Sequence, residues 1–229
     1  LVPGTAESDR HLQTFSCSVA RRMAEYLLSP HSAGFSGFLF SNACDTIRNL
    51  PEVLDCGLHE RNRSLPMFRL HVPAARLGSG NSRGYLAQEI GRLRDELTQA
   101  SGCGFSESGF RESVGLYRRL RQALLDLEHE VARGALSFAD YTEFARLSQR
   151  RPVEDALPPV EAELKRAGQR PAGETGAGVI VSGILPPPVA LIRAVEDAGL
   201  TICGNDVASL HRSLAHTPDS FSGTEEFYQ

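Results

Sequence analysis

The side chains with the widest chemical reach in this 229-residue chain are five cysteines, at positions 17, 44, 56, 103 and 203. Cys44 follows the apolar run Gly37-Phe38-Leu39-Phe40 and opens a helical pattern. In open α/β sheets, ligands collect beyond the carboxyl ends of the strands. A helix start there offers free N–H groups and the positive end of the helix dipole, which favour a thiolate. Cys44 therefore reads as a cluster ligand or a nucleophile, with a buried core thiol as the plain alternative. Cys17 stands at another helix start, 27 residues earlier. No CxxC or HxxxH pairing accompanies either, which disfavours structural zinc. Cys203 alternates with apolar neighbours and reads as core. Cys103 sits between two glycines and reads as an exposed loop thiol. A thiol hydrolase would need a histidine partner for Cys44.

Other motifs are weaker. Gly176-Ala177-Gly178 precedes a strand instead of following one, so it fails the dinucleotide fingerprint. No GK[ST] phosphate loop and no HExxH occur among the seven histidines and the rest of the sequence. His11, His31, His59 and His71 read as solvated. Asn205-Asp206 follows the last strand and offers a carboxylate to a ligand, or a helix cap. Arg21-Arg22 and Arg118-Arg119 read as solvated helix faces or as partners for phosphates.

The elements that must hold these residues follow from apolar spacing. Val19, Met23, Tyr26 and Leu27 mark a helix capped by Ser16 or Ser18 and stopped by Ser29-Pro30. Residues 37–40 form a strand, and Thr46 to Leu54 a helix, with a break expected at Pro51. Phe68 to Val72 is another strand. Tyr85, Leu86, Ile90, Leu93 and Leu97 give a helix ending at Gly102. Val114 to Val131 gives the next, and Ser137-Phe138-Ala139-Asp140 caps a third. Arg150 to Pro159, charged and proline-rich, reads as a linker. Val179 to Gly183 reads as a strand buried on both faces. Ala190, Leu191, Ala194, Val195 and Ala198 read as the buried face of a helix closed by Gly199, before a strand Leu200 to Cys203. The expected fold is α/β, with Rossmann-like parallel sheets flanked by helices. A first α/β unit (1–80) carries Cys17 and Cys44, a helical insert and linker follows (81–170), and a second α/β unit begins (171–229).

Composition narrows the function classes. A net charge of −4 argues against general nucleic-acid binding, whose affinity comes largely from neutralised phosphates. No apolar run approaches the roughly 20 residues that span a bilayer. An odd, irregular set of cysteines does not resemble a secreted disulfide framework, so the expected location is the cytoplasm. The opening Leu1-Val2-Pro3 lacks Met and a charged signal region, which reads as a fragment or a processed product.

The run Phe38-Leu39-Phe40-Ser41-Asn42-Ala43-Cys44-Asp45-Thr46-Ile47-Arg48-Asn49-Leu50 resembles the strand-then-CD segment of the 2-hydroxyacyl-CoA dehydratase and benzoyl-CoA reductase family. Ser16-Cys17-Ser18 is similar to that family's upstream cysteine. Ser182 to Pro188 and Leu191 to Gly199 resemble its second-domain strand and helix. The resemblance implies an iron–sulfur subunit of D-component type, with Cys17 and Cys44 as two of three protein ligands to a 4Fe-4S cluster. It implies a homologous paired subunit and an ATP-hydrolysing activator that supplies one electron at very low potential. It also implies an acyl-CoA substrate that accepts the electron as a ketyl-type radical, leading to elimination or ring reduction. Family chains are longer at both ends, and the third ligand is expected outside this segment. Asn205 stands for a family aspartate, and Ala208 stands where a cysteine is frequent. A cluster-free partner or scaffold subunit of the same family is the rival reading. A shared cubane requires the sulfurs of Cys17 and Cys44 to lie roughly 6–7 Å apart.

Overall fold

A computed structural model describes residues 4–73, 80–173, 176–214, 218 and 220–228. The chain divides into two compact units, Leu1–Phe105 with Phe221–Gln229, and Ser106–Ser220. This division differs from the boundaries at 80/81 and 170/171 expected from sequence. The helical middle is not a separate body: its first helix lies in the first unit, and the others pack on the second unit's sheet.

In the first unit, α1 (Ser8–His11) and α2 (Ser18–Leu28) precede β1 (Phe38–Ser41). The helix α3 (Asp45–His59) then crosses to β2 (Met67–Leu70), and α4 (Gly80–Ser101) follows. The two strands pair in parallel, Phe38 opposite Met67 through Ser41 opposite Leu70. Phe38 and Phe40 point inward to a core built with Ala24, Leu27, Leu28, Leu50, Leu54 and Leu58. The period of α2 is as expected, but its phase is turned. Ala20, Ala24, Leu27 and Leu28 are buried, whereas Val19 is half exposed. The small alanines let α2 lie close, and close packing outweighs the larger Val19.

α3 runs unbroken through Pro51, contrary to the expected break. Pro51 is itself buried in the packed face, and that burial offsets the lost backbone bond. Gly57 explains how α2 and α3 meet. A Cβ there would come within 2.7 Å of a Leu28 methyl, so the missing side chain is what admits Leu28.

In the second unit, α5 (Glu107–Ala132), α6 (Phe138–Arg150) and α7 (Val153–Gln169) cover the parallel pair β3 (Ala177–Gly183) and β4 (Leu200–Val207), which α8 (Val189–Asp197) connects. Ser137 caps α6 through a bond from Asp140 N–H to its hydroxyl, 3.0 Å, as expected. The stretch expected as a linker is instead the start of α7. Val153, Ala156, Leu157, Val160 and Ala167 repeat at helical spacing and are buried. Pro158 and Pro159 deprive the carbonyls of Glu154 and Asp155 of their helical donors. Both of those residues are exposed, on the solvent side of the helix, where unpaired carbonyls cost least.

Two expectations about this unit's sheet fail. β3 is covered on one face: Val179 and Val181 pack on the core, and Ile180 is 71% exposed. In α8 only Ile192 is fully buried, and Leu191 faces out. The helices all approach one face, so the residues expected to be inside on the other have nothing to pack on among the described residues. A short helix α9 (Thr224–Phe227) belongs to the first unit.

Candidate functional site

The two cysteines singled out by position turn out to be helix caps themselves. Cys17, not Ser16 or Ser18, is the N-cap of α2, and its sulfur accepts the Ala20 N–H at 3.5 Å. Cys44 is the N-cap of α3, and its sulfur accepts the Ile47 N–H at 3.5 Å. Both are extended at the cap, with ψ of 151° and 166°. Both side chains are exposed. An N-cap acceptor satisfies one of the four amides that a helix start leaves unpaired. In both cases a sulfur does this in place of the usual oxygen.

The packing relates the two caps. α2 and α3 touch at their carboxyl ends, where Leu28 meets Gly57. Buried residues recede from that contact along both helices: Leu27, Ala24 and Ala20 on one, Leu58, Leu54 and Leu50 on the other. Both helices pack into the same core, and on each the cysteine stands at the end away from the Leu28–Gly57 contact.

The remaining cysteines separate from this pair. Cys56 is also on α3, twelve residues past Cys44. At 1.5 Å per residue that is about 18 Å along the axis, too far to share a cluster with Cys44. Cys103 is exposed, as expected of a loop thiol. Cys203 is half-buried in β4, and its thiol donates to the Val179 carbonyl at 3.4 Å. All five thiols are free.

Thiolate sulfurs are suitable donors for an iron–sulfur cluster. Among the described residues, no group of three or more His, Cys, Asp or Glu side chains is placed to hold a metal ion. The described residues therefore offer a pair of thiols and not a closed site. The Cys44 sulfur has the Ile47 amide as its hydrogen-bond partner and no imidazole among the described residues, so a cysteine–histidine nucleophile is not assembled there. A Gly-x-Ser-x-Gly run at Gly80–Gly84 does not make a nucleophile elbow either. Ser82 lies buried within α4, well past the end of β2 at Leu70.

The charged candidates are mostly engaged. Arg21 pairs with Asp9, and Arg119 with Glu161 at 2.7 Å. The Arg21 guanidinium holds the Asp9 carboxyl below its usual range. Arg48 is one turn after Cys44, and its guanidinium has no partner among the described residues.

Asn205 and Asp206 are part of β4 and not beyond it. Asn205 is buried, and its Nδ2 donates to Glu128 Oε1 at 2.8 Å. Its Oδ1 accepts from Val207 N–H at 3.2 Å and from His211 N–H at 3.3 Å. His211 Nδ1 lies 2.8 Å from Glu128 Oε2. Burial foremost, then the charge of Glu128, push the Tyr141 phenol well above its ordinary range. This network was not expected, although one signal was present: Glu128 falls on the apolar stripe of α5, between Leu124 and Val131. Asp206 is exposed and pairs with Arg212 at 2.9 Å. Ala208 offers its backbone, its N–H bonding to the Gly183 carbonyl.

No helix among the described residues is long and apolar enough to cross a membrane. The chain is 27% identical over 215 residues to a benzoyl-CoA reductase subunit of Thauera aromatica, covering 90% of this chain and 53% of that one. It is 23% identical over 214 residues to the beta subunit of (R)-2-hydroxyglutaryl-CoA dehydratase from Acidaminococcus fermentans, covering 91% and 55%. The chain thus spans about half the length of the curated relatives it matches. The model of the family described as 2-hydroxyglutaryl-CoA dehydratase, D-component, matches residues 3–227. With nearly its whole length inside that match, the chain belongs to the 2-hydroxyglutaryl-CoA dehydratase D-component family.

Proposed function

We propose that this chain forms part of an iron–sulfur subunit of an acyl-CoA dehydratase or benzoyl-CoA reductase, and that Cys17 and Cys44 ligate one 4Fe-4S cluster. The observation that carries the reading is the shared cap geometry. Two exposed thiols stand at the amino ends of two helices that pack into one core, each with a backbone amide on its sulfur. When bound, the cluster supplies one-electron chemistry toward a CoA thioester. The roles of the chain itself are simpler. The two thiolates bind iron, and their helix starts orient the sulfurs and offset their negative charge. Arg48, one turn away, is available to an anionic group. A third ligand, the homologous subunit and the nucleotide-hydrolysing activator come from outside the described residues. The acyl-CoA relatives and the family support an acyl-CoA substrate here.

The test is iron and acid-labile sulfide content in protein purified without oxygen. Cys17→Ser and Cys44→Ser each abolish visible iron–sulfur absorbance while helix content holds, because serine is itself a good N-cap but a much poorer ligand for iron than a thiolate. Wild-type protein free of iron and sulfide would instead favour the cluster-free scaffold subunit.

A further inference from the structure

The turn that carries Cys44 is held by a side chain that nothing else in the site accounts for. β1 ends at Ser41, opposite Leu70. There the main chain leaves the sheet, and two residues of β2's extension, His71 and Val72, lose their strand neighbour. The Asn42 amide takes the neighbour's place. Its Nδ2–H donates to the Val72 carbonyl at 2.9 Å, and its Oδ1 accepts the Val72 N–H at 2.8 Å. A primary amide carries a donor and an acceptor side by side, so it meets both groups of one residue at once. Aspartate would set a carboxylate against the Val72 carbonyl, and alanine would release both groups.

Val72 is a firm post for this bracket. The residue before it is tied to α4, where the Glu89 carboxylate accepts the His71 N–H at 3.3 Å. Arg92 donates to Glu89 Oε2 at 2.9 Å, to Glu96 at 2.6 Å and to the Arg69 carbonyl at 2.5 Å. The Arg92 guanidinium accordingly holds the Glu89 carboxyl below its usual range. A connected chain of bonds thus runs from α4 through the end of β2 to Asn42, two residues before Cys44. Without it, residues 42–44 would be tethered by the strand on one side and the helix on the other, with no fixed point in the turn.

We propose that Asn42 is the positioning residue for Cys44: its two-way bracket to Val72 fixes the β1–α3 turn so that the thiol is presented at the start of α3. This rests on the reading of Cys44 as a cluster ligand, and the test separates the two. The first readout needs no cluster. In Asn42→Ala, hydrogen exchange at the Ile47 amide, the donor to the Cys44 sulfur, speeds about tenfold or more, as two hydrogen bonds are lost at an otherwise loose turn. The Ala20 amide at the Cys17 cap is the internal reference and does not change. The second readout is iron per chain after anaerobic purification, which falls to less than about half in Asn42→Ala and Asn42→Asp. Asn49→Ala removes a side-chain bond to Asp45 on the same helix and leaves iron unchanged, which distinguishes positioning from general loss of stability. If Asn42→Ala does not fold, Asn42→Asp carries both readouts. Unchanged exchange and full iron in the Asn42 variants, with iron lost in Cys44→Ser, would overturn the role of Asn42 and leave the ligand standing. Full iron in Cys44→Ser would overturn the ligand itself, whatever Asn42 does.

Discussion

At the residue scale, position along a helix decides what a cysteine can do. Cys44 and Cys56 are chemically identical, yet only one has a backbone amide on its sulfur. Cys56→Ser is expected to leave the iron content of anaerobically purified protein unchanged, because about 18 Å of helix separates it from Cys44. Retained absorbance in Cys44→Ser together with lost absorbance in Cys56→Ser would reverse the assignment. Two titrating groups carry predictions of opposite sign. Tyr141 keeps its proton longer in the folded chain than in the unfolded one. Its contribution is full below the ordinary phenol range, near pH 10, and is lost as pH rises beyond it, since only the unfolded state then gives up the proton. Urea midpoints should therefore drop as pH rises above about 10, and Tyr141→Phe should flatten that drop. Glu89, lowered by Arg92, behaves in the reverse way. Its contribution is present above the ordinary carboxylate range, near pH 4, and fades as pH falls through its folded value. Glu89→Gln should therefore make the urea midpoint less sensitive to acid.

At the element scale, the two largest departures from expectation are α7 and β3. Prolines and charges made 150–159 read as a linker, but proline near a helix start removes donors whose acceptors can face water. Leu157 is 4% exposed in the second unit's core. Leu157→Ala should destabilise the chain by about 2–4 kcal/mol in chemical denaturation, where a linker residue would shift it by less than about 0.5 kcal/mol. β3 gives the converse test. Ile180 was expected inside a doubly covered strand and is instead largely exposed. Ile180→Lys should change the unfolding free energy of this chain by no more than about 0.5 kcal/mol, and a loss near 3 kcal/mol would restore the doubly covered strand.

At the scale of the whole molecule, each unit has a parallel pair of strands with one face on a helical core. The other side of each presents an apolar residue, Leu39 at 53% and Ile180 at 71% exposure. Parallel sheets are ordinarily covered on both faces. The relatives it matches are themselves named as subunits. The proposed activity is therefore expected to require a second protein. Native mass measurements on anaerobic lysate should find this chain together with a longer homologous subunit. An active monomer that turns over an acyl-CoA without ATP or a partner would contradict the proposal.

The residue sequence alone determined whatever depends on neighbours three or four positions away. Helix starts at Cys17, Cys44 and Ser137, the glycine stop at Gly102, the strand–turn–helix around Cys44 and the family itself were all legible, because caps, turns and periods are local. Tertiary structure decided which side of each period is buried. The phase of α2 was set by how closely Ala20 and Ala24 let it pack, and that of α8 by the single face of the sheet on which helices gather. It also decided the contacts between distant residues, such as Asn42 with Val72, 30 residues on, and Glu128 with Asn205, 77 residues on. A hydrogen bond of that span leaves no periodic trace in the chain. It exists only once the strands and helices have brought its two ends together.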